Sequence, residues 1–266
     1  MSLFLLFLLL YSNKNMQIEP FIITQNHQII SNVLIALFYS NNLDDILLNT
    51  KNINININKD RELDLERYRD NNLKLLYFQE ILKTSFIDLV RRSKSVFDLE
   101  DINIMSKKLN DRDNITVITY TELLLKLFNV TPIITKNSNI YKIIILLDDK
   151  HAEKSINGLI YNYLATNNIT NVPKILTIAL QRQKTSSKID IQKRLKINDN
   201  VWIFHSLICK DSNNNLYSLI NFNDYYYIFN ANNTPCLSIN KIDMNNNLIS
   251  DKIKSVLFLV IYRILN

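Results

Sequence analysis

Residues 173–182 read Pro-Lys-Ile-Leu-Thr-Ile-Ala-Leu-Gln-Arg. The segment 173–181 is short, rich in aliphatic residues and led by a proline, which predicts a strand with two alternating faces. Comparable segments lie on either side of it, separated by asparagine-rich turns. We predict further strands at residues 141–147, 202–209, 216–222, 225–230 and 255–263, and a short helix at residues 155–164.

The N-terminal half of the chain has helical periodicity instead. Apolar residues from Ile29 to Phe38 recur at the 3.6-residue spacing of a helix with one buried face, and we expect Asn26 to cap it. Two amphipathic helices are predicted within residues 60–93, and another begins near Thr119. Residues 52–58, Asn-Ile-Asn-Ile-Asn-Ile-Asn, alternate with period two and are compatible with an edge strand or a low-complexity loop, of which we favour the loop. A helical half followed by a strand-rich half is typical of an α+β protein.

Composition excludes several function classes. The chain has 266 residues, of which 47% are apolar and 21% charged, so it can bury a substantial core without disulfides. Its one glycine, Gly158, rules out the glycine-rich loops that bind dinucleotides and nucleoside triphosphates. The two cysteines form no Cys-x-x-Cys pair, which excludes a zinc ribbon, and we expect neither a metal nor any other cofactor.

The charge pattern gives no strong sign of a nucleic-acid partner. The net charge is +6, but the basic residues are spread among acidic ones, and the tightest cluster is Arg91-Arg92-Ser93-Lys94. We interpret that cluster as a solvated helix end. The apolar run Leu3–Tyr11 is far shorter than the roughly 20 residues that span a bilayer. We therefore expect no membrane insertion, and interpret residues 1–15 as an extension that precedes the folded domain.

Several segments, taken together, resemble the ubiquitin-specific proteases, which are papain-like deubiquitinases. Residues 173–182 are similar to the family's "LPKVLIIHLKRF" strand, and residues 26–38, Asn-His-Gln-Ile-Ile-Ser-Asn-Val-Leu-Ile-Ala-Leu-Phe, align without a gap with its "NTCYMNSVLQALF" box. Four further segments follow the family's order: residues 120–124 resemble "QDAHEFL", 216–221 "GHYTAYVR", 226–230 "WYHFDD" and 255–263 "AYMLFYRR".

The resemblance covers about residues 20–264 and implies a fold. It implies one domain over residues 16–266, with a helical thumb at residues 16–133 and an antiparallel strand-rich palm at residues 134–266. The metal-binding finger of many relatives has no counterpart, for want of cysteines. Any fingers-like extension within residues 135–172 is expected to be short and to lack zinc.

The resemblance also identifies the positions where catalysis would occur. A cysteine peptidase needs a thiolate, a histidine that accepts its proton, and a polar group that orients the imidazole. The nucleophile position falls on Gln28, the base on Leu216, the orienting group on Asn230 and the oxyanion donor on Ile23. Three of these four positions have lost the necessary chemistry, which predicts a degenerate active site. The cleft candidates are Asn26, His27, Gln28, Tyr217, Tyr226 and Asn230.

A site rebuilt elsewhere is the other possibility. His205 and Cys209 are four residues apart, which on one strand places them on the same face about 13 Å from each other, too far for proton transfer. We expect Cys209 to be a core residue and Cys236, which lies in a turn beside Pro235, to be a surface thiol. The lone His27 is expected to be a solvent-exposed residue at a helix start.

These observations leave three functional hypotheses. The first is a catalytically inactive deubiquitinase-like protein that binds ubiquitin, a ubiquitin-like tail or another protein in the inherited cleft. The second is a structural or assembly protein of a large DNA virus that keeps only the fold, suggested by the asparagine-rich composition and the degenerate site. The third is an active hydrolase with displaced catalytic residues. In each case we expect a cytoplasmic protein, in the host cytoplasm if it is viral.

Overall fold

The computed structural model describes residues 21–24, 27–39, 71–91, 96–109, 115–128, 133–134, 141–142, 144–148, 156–167, 173–181, 191–197, 200–210, 213, 215–222, 225–232, 237–242 and 257–264. Five helices lie in these ranges: α1 (Gln28–Phe38), α2 (Asn71–Arg91), α3 (Glu100–Leu109), α4 (Val117–Leu127) and α5 (Ile156–Asn167). Twelve strands accompany them: β1 (Ile22–Thr24), β2 (Val96–Asp98), β3 (Ile133–Ile134), β4 (Tyr141–Lys142), β5 (Ile144–Asp148), β6 (Ile175–Gln181), β7 (Arg194–Ile197), β8 (Asn200–Lys210), β9 (Leu216–Phe222), β10 (Tyr225–Phe229), β11 (Leu237–Ile242) and β12 (Leu257–Ile264).

The C-terminal half forms one sheet, as the strand pattern predicts. Its described strands follow the order β11-β10-β9-β8-β12-β6-β5, and β7 pairs with β8 outside this path. All pairs are antiparallel except β5 and β6, which are parallel. Helix α5 lies between β5 and β6 along the chain, and a parallel pair needs such a crossover because a tight turn reverses direction. This pair departs from the expected antiparallel palm.

Two apolar clusters cover the two faces of this sheet. The first includes helix residues from α1, α2, α3 and α4 together with one face of β8, β9 and β10. The second includes residues of α5 and the opposite face, around Trp202. Ser206 on β8 donates a hydrogen bond of 2.6 Å to the backbone oxygen of Ala36, which joins the middle of α1 to the sheet. The N-terminal helices therefore pack on one face of a sheet formed much later in the chain.

The helix ends show where local sequence decides structure. Helix α4 begins after Thr116, whose side chain accepts a 3.1 Å hydrogen bond from the backbone nitrogen of Thr119, while the Thr119 hydroxyl accepts from the nitrogen of Thr116. This reciprocal capping box places the helix start earlier than the apolar pattern predicts. Helix α1 begins after His27, so the expected cap at Asn26 is wrong, and no side chain caps this end.

Several elements were not predicted from the sequence. Strands β1 and β2 are too short for a visible alternation, and they pair in parallel within the predicted helical half. Helix α3 was not predicted either, although its buried residues Ile102, Met105 and Ser106 lie on one face. Strands β3 and β4 pair antiparallel, and β4 lies within the range where a fingers-like extension was expected. The predicted loop at residues 52–58, the extension at residues 1–15 and the first helix of residues 60–93 lie outside the described ranges.

Candidate functional site

The N-terminus of α1 carries the residue at the nucleophile position. Gln28 is the first residue of this helix, and the preceding His27 has an extended backbone with φ −125° and ψ 111°. The first turn contains no acidic residue. A helix N-terminus presents backbone N–H groups and a positive dipole end, which in a cysteine peptidase favours the thiolate. At this point the chain places a neutral carboxamide.

Gln28 is joined to the start of β9. Its Nε2 donates a hydrogen bond of 3.3 Å to Oδ1 of Asn215, the residue that directly precedes Leu216. The positions expected for the nucleophile and for the base are therefore neighbours, although 187 residues separate Gln28 from Asn215 in the sequence. What meets there is a pair of side-chain amides.

A third side-chain amide, that of Asn32, connects α1 to β9 at this junction. Asn32 is fully buried, and its Nδ2 donates to the backbone oxygen of Gln28 at 2.8 Å and to that of Leu216 at 3.4 Å. Its Oδ1 accepts a 2.7 Å hydrogen bond from the Ser218 hydroxyl. One side chain thus satisfies groups on both elements of the site. Sequence reasoning missed it, and the available signal was a polar residue on the apolar face of α1.

Leu216 itself is a core residue. Its side chain is 4% exposed and belongs to the first apolar cluster, together with Phe229 and Ala231. A buried leucine neither accepts a proton nor orients a nucleophile. Its burial also explains the local structure, because an apolar side chain at this position extends the contact between β9 and the helices.

Asn230 lies on the neighbouring strand end. The preceding Phe229 is the register partner of Ser218, which places Asn230 beside the start of β9. Its Oδ1 accepts a hydrogen bond of 3.0 Å from the backbone nitrogen of Asn232. The side-chain oxygen therefore stabilises the turn after β10, a common role for asparagine.

Two expected cleft residues lie on the other face of the sheet. Tyr217 and Tyr226 are 8% and 2% exposed and pack in the second cluster, away from α1. The reason is strand alternation: Leu216 and Ser218 face the helix, so Tyr217 between them faces the opposite way. The ring of Tyr226 lies beneath the Lys193 ammonium, with Nζ 5.9 Å from the ring centroid.

Ile23, at the expected oxyanion position, is the buried centre of β1. Its side chain is 8% exposed, and it is the parallel register partner of Phe97. An aliphatic side chain offers no hydrogen-bond donor to an oxyanion. The position therefore serves the core.

His27 is half-buried rather than solvent-exposed. Desolvation lowers the pKa of its imidazole below the ordinary value, and the nearby Lys107 ammonium lowers it further. Both effects disfavour the charged ring, so the imidazole is neutral at neutral pH. Its buried Nδ1 has no hydrogen-bond partner among the described residues. The residue next to it is Gln28, so this imidazole faces no thiol at the helix start.

The cysteines and His205, which were considered as displaced catalytic residues, do not form a catalytic site among the described residues. Cys209 is fully buried in the second cluster, which confirms the expected core role. On β8, Ser206 and Phe204 pair with successive residues of β12, so His205 between them lies in a β-bulge. Because a bulge interrupts the alternation of side chains, the spacing of four residues does not place His205 and Cys209 on the same face. Cys236 and Asn26 lie outside the described ranges.

Two further properties concern the described residues only. No group of three or more histidine, cysteine or acidic side chains among them is arranged to hold a metal ion. None of their helices combines the length and apolar character that crossing a bilayer requires.

The comparisons with known proteins concern the fold. No model of a protein family matches the chain, and no curated protein matches its sequence. An essential yeast splicing factor of known structure superposes with a TM-score of 0.59 at 10% identity, over 94% of this chain and 70% of that one. The PAN2 pseudoubiquitin-hydrolase of Saccharomyces cerevisiae superposes with a TM-score of 0.54 at 13% identity, over 92% of this chain and 87% of that one. The chain therefore has an α+β fold of the ubiquitin-hydrolase-like kind.

Proposed function

We propose that this chain is a catalytically inactive protein with a ubiquitin-specific-protease-like fold, which binds a protein partner at the junction of α1 and β9. The partner to test first is ubiquitin or a ubiquitin-like tail. One observation carries the proposal: the helix N-terminus that would activate a thiolate holds Gln28, and this side chain is bonded to Asn215.

The chemistry of the junction supports the loss of hydrolysis. A carboxamide is not a nucleophile of the required kind, and Leu216 has no group that accepts a proton. Removal of single members of a catalytic triad costs about 10⁴-fold to 10⁶-fold in rate in a serine protease. Loss of both the sulfur and the imidazole at these positions leaves only binding.

The hypothesis of displaced catalytic residues has less support. Cys209 is fully buried in the second cluster, on the face of the sheet away from α1. A nucleophile there would be separated from α1 by the sheet itself. The second cysteine, Cys236, is tested directly by the labelling experiment below.

The fold comparison also supports the proposal of an inactive protein. The similar PAN2 structure is described as a pseudoubiquitin-hydrolase, a name for a protein with the hydrolase fold but without the hydrolase activity. By analogy, we infer that the present chain uses the scaffold for recognition. The alternative of an assembly protein uses the same scaffold with partners other than ubiquitin.

A labelling experiment with ubiquitin that carries a cysteine-reactive electrophile at its C-terminus tests activity and binding together. We expect no adduct on the wild-type protein. In Gln28→Cys the new thiol lies at a helix N-terminus, which lowers its pKa, and a ubiquitin tail bound in the cleft brings the electrophile to it. We expect an adduct at residue 28, formed faster than with the same electrophile without ubiquitin.

The matched control is Lys126→Cys, which places a thiol on the exposed surface of α4. It should react equally with both electrophiles. An adduct on Cys209 or Cys236 of the wild-type protein would overturn the inactive assignment. Equal rates for both electrophiles at residue 28 would remove ubiquitin as the partner, and an interaction survey that returns other proteins or a self-assembled oligomer would then favour the assembly hypothesis.

A further inference from the structure

Strands β1 and β2 form a small two-stranded ribbon beside the helices. They pair in parallel, with Ile22 opposite Val96 and Thr24 opposite Asp98. In the part of the chain that the structure describes, each strand is paired only with the other. A ribbon of two three-residue strands leaves backbone groups along its outer edges, and such edges accept an added strand.

The inner face of this ribbon is anchored in the core. The Phe21 ring, at the start of β1, packs edge-on against Phe97 with centroids 6.5 Å apart, and it stacks on Phe229 at 6.1 Å. The ribbon is therefore held firmly next to the end of β10. Its residues differ from those of the α1–β9 junction.

The outer face changes from aliphatic to acidic along its length. Ile22 and Val96 are 44% and 47% exposed, which makes them a solvent-exposed aliphatic pair. Two residues further along each strand, the Thr24 hydroxyl donates a 2.9 Å hydrogen bond to the Asp98 carboxylate. The chain then enters α3 with Glu100 and Asp101, both exposed.

Among the described residues, the carboxylates at the end of this face have no positively charged partner. No described lysine or arginine side chain forms an ion pair with Asp98, Glu100 or Asp101. Partial burial raises the pKa of Asp101, and repulsion from Asp98 and Glu100 adds to the effect. A positive charge placed here would relieve this repulsion.

We propose that the outer face of the β1–β2 ribbon binds an extended segment of a partner protein in which an aliphatic residue stands two positions from a lysine or arginine. In a strand added to the ribbon, residues two apart point to the same face at about 7 Å spacing. If that strand lies alongside β2, the aliphatic side chain lies next to Val96, on the exposed face that Val96 shares with Ile22, and the cation lies next to Asp98. The surface is distinct from the cleft at Gln28, so it does not depend on the function proposed there.

The probe is a fluorescein-labelled peptide that repeats Val-Thr-Lys-Thr, titrated with the full chain and followed by fluorescence anisotropy. Two matched peptides replace lysine by glutamate or valine by serine. We expect saturable binding of the first peptide and at least tenfold weaker binding of the other two. The preference over the glutamate peptide should diminish in 0.5 M salt, where the screening length falls to roughly 4 Å.

Protein variants assign the binding to this face. Val96→Ser, which adds no charge, should weaken the lysine peptide about tenfold, since a tenfold change corresponds to about 1.4 kcal/mol and aliphatic contact is worth that order. Asp101→Lys should weaken the lysine peptide and strengthen the glutamate peptide. Ile104→Ser is the matched control, because Ile104 is a 36% exposed aliphatic residue on α3 outside the ribbon.

Three outcomes would overturn the proposal. One is no saturation at high micromolar protein, and another is equal affinity for the three peptides. The third is concentration-dependent self-association in sedimentation that Val96→Ser abolishes, which would identify a second copy as the occupant. Circular dichroism of each variant confirms that weaker binding does not come from unfolding.

Discussion

Replacement of Asn32 by leucine, which has a similar volume, should destabilise the protein by about 2–3 kcal/mol. The side chain is fully buried and makes two donor contacts, at 2.8 Å to the Gln28 oxygen and 3.4 Å to the Leu216 oxygen, and one acceptor contact at 2.7 Å from Ser218. Each buried group left without a partner costs about 1–3 kcal/mol, and the apolar burial of leucine offsets part of the loss.

In Asn32→Leu, one of these groups, the Ser218 hydroxyl, keeps a hydrogen-bond acceptor. The Ser218 hydroxyl can still donate to the Asn32 backbone oxygen, at 3.2 Å, so its loss is the smaller one. Ser218→Ala instead removes the donor to the buried Asn32 Oδ1 and should cost about 1–3 kcal/mol. The double variant should cost less than the sum of the single changes, because both act on one hydrogen-bond network.

Urea unfolding measures these differences through the fluorescence of Trp202, the one tryptophan, which is 1% exposed and donates to the Pro173 oxygen at 3.0 Å. For a chain of this size, 2–3 kcal/mol lowers Tm by about 4–12 °C. A loss below about 0.5 kcal/mol in Asn32→Leu, the scatter of ordinary surface changes, would refute the claim that this side chain joins α1 to β9.

Three further predictions concern His27 and the helices. Because the folded-state pKa of His27 is lowered, the contribution of its neutral ring to stability is fully present above the unfolded value near 6.5 and is lost as pH falls from that value through the lower folded value. His27→Gln should therefore flatten the pH dependence of the urea unfolding free energy between about pH 7.5 and 5, and an unchanged slope would contradict the assignment. Tyr120 is fully buried, and its hydroxyl is hydrogen-bonded to that of Ser106 at 2.8 Å. Tyr120→Phe should therefore cost about 1 kcal/mol, and Tyr120→Ala about 3–5 kcal/mol, in the same assay. Equal losses in the two variants would show that packing of the ring is unimportant. Thr116→Ala removes the cap of α4 and should cost about 1 kcal/mol, whereas Thr116→Ser should cost little; a loss in both would mean that the hydroxyl is not the cause.

The strands of the sheet were largely predictable because their patterns are local. Residues 175–181 and 216–222 form strands at nearly the predicted limits, since short aliphatic runs between polar turns favour extended backbone. Helix α1 was predicted for a similar reason, because apolar periodicity runs through nearly all of its eleven residues. The ribbon strands β1 and β2 were not predictable, as three residues cannot show a period.

The candidate site was predictable only in part. The alignment placed Gln28 and Leu216 at related positions, and the structure places Gln28 beside Asn215. It also placed Tyr217 and Tyr226 in the cleft, whereas both side chains pack on the opposite face of the sheet. An alignment locates a backbone position, but the face that a side chain takes depends on the register of the strand against its neighbours.

The amino-acid sequence alone determined the chemistry that is available: it contains no cysteine before residue 209, so no thiol can stand at the start of α1. The tertiary structure decided which polar groups replace it. Asn32 and Ser218 are 186 residues apart and carry no mutual signal in the sequence, yet they bond in the core because α1 packs on β9. Such a contact depends on how the whole sheet assembles, and a buried amide is stable only where the assembled neighbours supply its partners.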